Sequence, residues 1–236
     1  MAIDARDAAG FYATPLGRRA AALLRRKLER LWPAMAGLSV LGIGHAGPFL
    51  HAWRECSRCV ALSPSHMGVA PWPSGRPGLA CMAEAESLPF ADLSFDRVLL
   101  VHGLEQAENA RRTLREAWRV LKDDGRLIVA APNRRGLWAY AESTPFGHGQ
   151  PYSEGQLARL LASLLFQVEA QATALYAPPF TSAPMLGLFE LFERCGPLLA
   201  PQFAGVTIAE ATKNLHGVIP AGGRVSFRRV FADQGG

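Results

Sequence analysis

The chain has 236 residues, 49% of them hydrophobic and 19% charged, and 25 lysines and arginines against 20 acids give it a net charge of +5. That fits one globular domain with appendages. The four cysteines are too few and too scattered for a disulfide scaffold, no run of about 18 uncharged apolar residues marks a membrane span, and the acids in MAIDARDAAG leave no secretory leader, so a cytoplasmic protein is expected.

The first element is a leading helix over about 12–33. In TPLGRRAAALLRRKLERLW, Leu16, Leu23, Leu24, Leu28 and Leu31 recur at helical spacing, while Arg18, Arg19, Arg25, Arg26, Lys27 and Arg30 fill the other faces. The apolar stripe packs on the domain. The basic face attracts anions, but without an aromatic platform or a nucleic-acid motif beside it, nucleic acid is not the expected partner.

Short apolar runs then alternate with helical patterns. Strands are expected at Leu38–Ile43, Cys59–Leu62, Leu79–Met82, Asp96–Val101 and Arg126–Ala131. Cys56 and Cys59 form a C-x-x-C with no second pair to complete a metal site, so they read as small buried hydrophobes and no metal is expected. The clearest helix lies in ENARRTLREAWRVLKDDG, where Leu114, Trp118 and Leu121 line one face and Gly125 sits just past the end. A helix near Ser153–Leu164 follows, then strands near Phe166–Tyr176 and Gly205–Lys213. This alternation predicts an α/β fold with a doubly wound parallel sheet.

Ligands of such sheets bind beyond the carboxyl ends of the strands, which directs attention to the strand-end loops. There the sequence resembles a known family. Glu84-Ala85-Glu86 with Leu88-Pro89-Phe90, then Ser94-Phe95-Asp96, Leu104-Glu105-Gln106 and Arg119-Val120-Leu121-Lys122 before Gly125 are similar, in order and spacing, to the middle of class I S-adenosylmethionine-dependent methyltransferases of the type 11 group. PNRRGLW and TPFGHGQPYS also resemble a bacterial subset of methyltransferase-like proteins. The resemblance covers about 38–165. It implies a Rossmann-like, mostly parallel seven-stranded sheet with an antiparallel last strand around Val206–Thr212, S-adenosylmethionine as cofactor, and methyl transfer to a small-molecule or protein acceptor.

Carried over residue by residue, the resemblance gives a cofactor set of Gly42, Gly44, His45, Gly47, Ser63, Glu84 and Ala85. The family's first loop runs V-L-D-x-G-C-G-x-G, and here it is Val40-Leu41-Gly42-Ile43-Gly44-His45-Ala46-Gly47-Pro48. Gly44 matches directly, Gly42 removes an acid that helps to orient the methionine ammonium, and Ala46 adds a methyl where close backbone approach is usual. The run RCVALSPSHMG lacks the acid that accepts from both ribose hydroxyls. A neutral bond from Ser63, Ser65 or His66 in its place, at about 1 kcal/mol against 1.5–3 for a charged one, implies roughly tenfold weaker binding. Glu84 is expected to accept from the adenine amino group.

Methyl transfer from a sulfonium needs alignment and water exclusion, and a base only for a protonated acceptor. His102 and Glu105, just beyond the fourth strand, are placed for that role by topology, with His148 and Tyr152 expected to close over the site. Each has a plainer reading, as a core histidine, a helix cap or a helix start. Arg134 and Arg135 are placed to pair with an anionic acceptor or with solvent.

From 178 to 203 the apolar residues Met185, Leu186, Leu188, Phe189, Leu191 and Phe192 occupy more than one helical face, which calls for a lid, a protein partner or a second copy of the chain. The whole chain therefore reads as one methyltransferase-like domain, either a methyltransferase with an altered cofactor loop or a catalytically impaired homologue acting as a structural or regulatory partner.

Overall fold

The computed structural model describes residues 5–53, 55–68, 72, 79–180, 187–214 and 228–229. The leading helix expected over about 12–33 is α2 (Pro15–Leu31), and a separate helix, α1 (Ala5–Ala13), precedes it. Thr14 is extended and its hydroxyl accepts from Gly17 N–H, while Pro15, which has no N–H to lose, opens the second helix. The break folds α1 back tightly, because a Cβ on Gly17 would lie 2.0 Å from the Phe11 carbonyl oxygen. Leu16, Leu24 and Leu28 are buried as the stripe requires.

Strands β1 (Ser39–Gly44), β2 (Arg58–Pro64), β3 (Ala80–Ala83), β4 (Phe95–Val101), β5 (Leu121–Pro132), β6 (Phe166–Ala174), β7 (Val206–Lys213) and the two-residue β8 (Arg228–Arg229) form one sheet in the order β3-β2-β1-β4-β5-β7-β6-β8. Strands β1 to β5 are parallel, and β7 runs antiparallel between β5 and β6. The seven-stranded, mostly parallel sheet with β1 in its interior is the expected one, extended by β8. Every residue of β1 is buried, as befits a parallel strand covered on both faces.

Alternate residues of each strand feed opposite cores. Val40, Leu99, Ile128 and Ile208 pack under α1, α2 and the short α3 (Gly47–Leu50). Leu41, Val98, Leu100 and Leu127 pack under α4 (Ala110–Val120) and α5 (Glu154–Ala162). Ser153 caps α5 in a capping box with Gln156. Helix α4 ends at Val120 rather than at Gly125. Leu121 already pairs with Phe95 at the start of β5, so Gly125 lies in a strand and not at a helix C-terminus.

The apolar segment yields α6 (Phe189–Leu199), while Met185 and Leu186 lie outside the described residues. Phe189 is buried, but Leu191, Leu198 and Leu199 are 56%, 75% and 82% exposed. Glu193 anchors the helix by accepting from Ala177 N–H at 3.0 Å, and Arg26 of α2 reaches Glu190 at 3.4 Å. No helix among the described residues is long and apolar enough to cross a membrane.

Candidate functional site

The loops after β1 and β4 are stitched together. His45 N–H donates to the Val101 carbonyl at 2.8 Å, and Gly44 takes a φ of +88° where a Cβ would lie 2.4 Å from the same oxygen. Only glycine fits that close approach in that conformation. His102, next along β4, has a φ of 53°, a left-handed backbone that a side chain adopts at a cost.

His102 is the middle of a buried chain. Its Nδ1 faces Glu105 Oε1 at 3.0 Å, and its Nε2 faces the hydroxyl of Tyr12 at 2.7 Å. The carboxylate accepts, so Nδ1 carries the proton and Nε2 accepts from the phenol. His102 and Glu105 are 1% and 3% exposed, and Glu105 Oε2 is buried without a hydrogen-bond partner. Burial, and then the Glu105 charge, push the Tyr12 phenol well above its usual range, so it rests protonated.

Tyr12 also lies flat against His45, with ring centroids 5.5 Å apart and 2° between planes. Burial, and then the nearby His102, lower the His45 pKa to about 4. The imidazole is therefore neutral at physiological pH. Its Nε2 is buried without a hydrogen-bond partner.

Between α1, α3 and the ends of β1 and β2 lies a cavity of about 360 Å³, lined by Tyr12, Arg25, Gly44, His45, Gly47 and Ser63 with Trp72, His51 and small apolar residues. Four of the seven expected cofactor residues thus meet in one place. The other three are elsewhere. Gly42 is inside β1, where a Cβ would lie 2.6 Å from the Ala46 Cβ and 2.9 Å from Leu50 Cδ1. The Ala46 methyl therefore occupies space that an acid at 42 would need, rather than facing a ligand. Glu84 takes a hydrogen bond from the Ser65 hydroxyl at the end of β2, outside the lining, and Ala85 is buried in the core with Leu88 and Leu104.

The expected catalytic residues divide in the same way. His102 and Glu105 are joined, but it is Tyr12 that stands between them and the cavity. His148 Nε2 is 2.8 Å from the Glu142 carbonyl oxygen, and the residue is not in the cavity wall. Tyr152 lines a separate groove of about 320 Å³ with Arg134, Glu108, Arg111, Gln150 and Gln156. The sequence held one signal for Tyr12, an aromatic residue two positions before the Thr14-Pro15 helix start, but nothing in it paired positions 12 and 102.

The cradle fits an adenosyl cofactor in part. The Gly44 turn, the Ser63 hydroxyl and the partnerless His45 Nε2 suit a ring and its hydroxyls, with Trp72 packed against Gly47, where a Cβ would lie 3.1 Å from its ring. No carboxylate stands among the described lining residues to meet an ammonium or a ribose diol.

The family model Methyltransf_11, described as a methyltransferase domain, matches residues 40–129. The uncharacterized protein YafS of Escherichia coli is 34% identical over 119 residues, 50% of this chain and 46% of that protein. The ubiquinone/menaquinone biosynthesis C-methyltransferase UbiE of Klebsiella pneumoniae is 47% identical over 47 residues, 20% of this chain and 19% of that enzyme. The chain thus spans about half or less of the length of these curated relatives. A chain from a complex of the Haloferax volcanii Trm112 methyltransferase activator shares the fold, with a TM-score of 0.65 at 19% identity over 89% of this chain and 94% of that one. Over residues 40–129 the chain is thus similar to the Methyltransf_11 methyltransferase domain, and its sheet has the fold of that Haloferax volcanii chain.

Proposed function

We propose that the protein is an S-adenosylmethionine-dependent methyltransferase in which the cavity beneath α1 holds the cofactor and the Tyr12–His102–Glu105 chain accepts the proton released by the acceptor. The observation that carries this reading is the buried chain itself, with links of 2.7 and 3.0 Å, ending on the cavity wall. When bound, the cofactor supplies an activated methyl group. Gly44, Gly47 and Ser63 would hold its adenosyl part, and α1 excludes water. Glu105 fixes the His102 tautomer, so that Nε2 is ready to take the Tyr12 proton while Tyr12 Oη takes one from the acceptor. Because the phenol rests protonated, it acts only in concert with His102.

The test is transfer of a labelled methyl group from S-adenosylmethionine to fractionated cell extract. Labelled product is expected with the wild type, and at least about a hundredfold less with Tyr12→Phe and His102→Gln, the low end for a lost acid–base group. Undiminished labelling in Tyr12→Phe would remove the relay. Absence of labelling in every fraction would favour the second reading, a partner protein, which the exposed Leu191, Leu198 and Leu199 of α6 support and which matches the activator complex in which a chain of this fold occurs.

A further inference from the structure

We propose that the groove between α4 and α5 is a second ligand site, separate from the cavity beneath α1, which takes the phosphoryl group of a small phosphate ester through Arg134, Tyr152 and the first turn of α4. The proposal does not depend on the cofactor reading above.

The groove, of about 320 Å³, is walled by segments that follow β4 and β5 and open α5. That volume suits a small molecule. Tyr152 N–H donates to the Pro132 carbonyl at 2.9 Å and Arg134 N–H to the Tyr152 carbonyl at 3.3 Å, so the stretch after β5 and the one before α5 run side by side. Both side chains line the groove. The Arg134 carbonyl accepts from the Tyr140 hydroxyl at 3.0 Å, which holds its backbone, while its guanidinium has no hydrogen-bond or ion-pair partner among the described residues. Tyr152 is 7% exposed, and its hydroxyl also has no hydrogen-bond partner among the described residues. A phenol this buried normally finds one. Burial, and then the Glu105 charge, raise its pKa, so it keeps its proton and can donate.

Helix α4 and Gln156 add donors. Asn109 caps α4 by accepting from Arg112 N–H at 3.2 Å, which leaves the N–H groups of Ala110 and Arg111, in the groove wall, for an anion at the positive end of the helix dipole. The Arg111 side chain crosses to α5, where Nη1 donates to Ser163 Oγ at 3.1 Å, and so stands in place before any ligand arrives. Gln156 Oε1 accepts from Ser153 N–H at 3.0 Å, which leaves the amide N–H groups as donors.

Charge favours the same ligand. Two guanidinium groups in the lining stand against one carboxylate, Glu108, which makes no ion pair among the described residues, and Glu86 is occupied outside the lining by Asn109 N–H and Arg112. A phosphoryl group presents three acceptor oxygens in different directions, which matches donors arriving from three segments, whereas a carboxylate presents two in one plane. The structure also separates two neighbours, since Arg134 lines the groove and Arg135 does not.

Titration of the isotope-labelled full chain with inorganic phosphate at constant ionic strength, followed by amide chemical shifts, tests this. Saturable shifts are expected around 108–112, 134 and 150–156 and not around 44–47, with a Kd of about millimolar or below, near −4 kcal/mol. Glycerol phosphate should bind at least as tightly, and acetate more weakly. Arg134→Gln and Tyr152→Phe should each weaken phosphate at least about tenfold, the low end for a lost hydrogen bond to a charged group. Glu108→Gln should tighten it about twofold to fivefold, and Arg135→Gln should leave it unchanged. Because Arg134 and Glu108 are exposed, their variants keep the fold, so opposite changes in those two read the groove even where Tyr152→Phe is destabilised. Shifts that never saturate, or an equal loss in Arg135→Gln, would reduce the site to diffuse attraction by a basic surface and overturn it. Acetate binding as tightly as phosphate would overturn the phosphoryl assignment, and tighter binding of a phosphoserine peptide than of glycerol phosphate would overturn the small-molecule one.

Discussion

Tyr12 and His45 stack face to face, 5.5 Å between centroids, while the Tyr12 hydroxyl reaches past the stack to His102 Nε2 at 2.7 Å. One side chain from the first helix thereby joins the loop after β1 to the loop after β4. Removing only the hydroxyl keeps the stack but leaves the buried His102 nitrogen without its partner. Tyr12→Phe should therefore cost about 1–3 kcal/mol, and Tyr12→Ala about 3–5 kcal/mol through the cavity it adds. Urea unfolding of the three proteins measures both.

Stability should fall in mild acid because of His45. Its pKa is about 4 when folded, against an ordinary value of 6.5 when unfolded. Between those values the unfolded chain binds more protons, so the contribution is complete above about pH 6.5 and is lost as the pH drops toward 4, by up to about 3 kcal/mol. His45→Gln should flatten this window. Unfolding curves at pH 7, 6, 5 and 4 test it, and ligand affinity should not follow a titration near 6.5.

Gly42 and Ala46 should behave as a coupled pair, since a Cβ at 42 lies 2.6 Å from the Ala46 methyl. Gly42→Ala should cost about 1–3 kcal/mol by overpacking, and Ala46→Gly in the same chain should recover much of it. Returning an aspartate to position 42 does not restore a family site, because Leu50 Cδ1 still lies 2.9 Å from the Cβ position and the strand is buried. Simple additivity in a double-mutant cycle would contradict this packing.

The α6 anchor gives a fourth test. Burial raises the Glu193 carboxyl pKa against the pull of the backbone N–H groups of 175–177 and Lys27. Glu193→Ala leaves the Ala177 N–H without its acceptor and should free α6, at a cost of about 1–3 kcal/mol. Faster amide exchange confined to 175–199 is the expected signature, and unchanged exchange there would refute the anchor.

The fold was legible because its strands are buried runs separated by a strongly amphipathic α4, and those patterns are local. What escaped was set by tertiary contact. Thr14-Pro15 carries the start signal of α2, but α1 before it has no leucine stripe to mark a second helix. Leu121 has helical spacing from Leu114, yet pairing with Phe95 draws it into β5. At the site, Gly44, His45, Gly47 and Ser63 follow from the motif, whereas the low pKa of His45 depends on burial under Tyr12. Glu84 keeps its place in the motif but bonds to Ser65, a contact 19 residues away that spacing does not reveal.

The claim that the cavity beneath α1 is an adenosyl site is tested most directly by calorimetry with S-adenosylhomocysteine on the wild type and on Ala13→Trp. Ala13 is an exposed residue of α1 on the cavity wall, so the larger ring fills the space without entering the core. One site of about micromolar Kd is expected in the wild type and at least about tenfold weaker binding in the variant, about 1.4 kcal/mol or more. No heat at about millimolar ligand, near −4 kcal/mol, or equal binding by the two proteins, would contradict it.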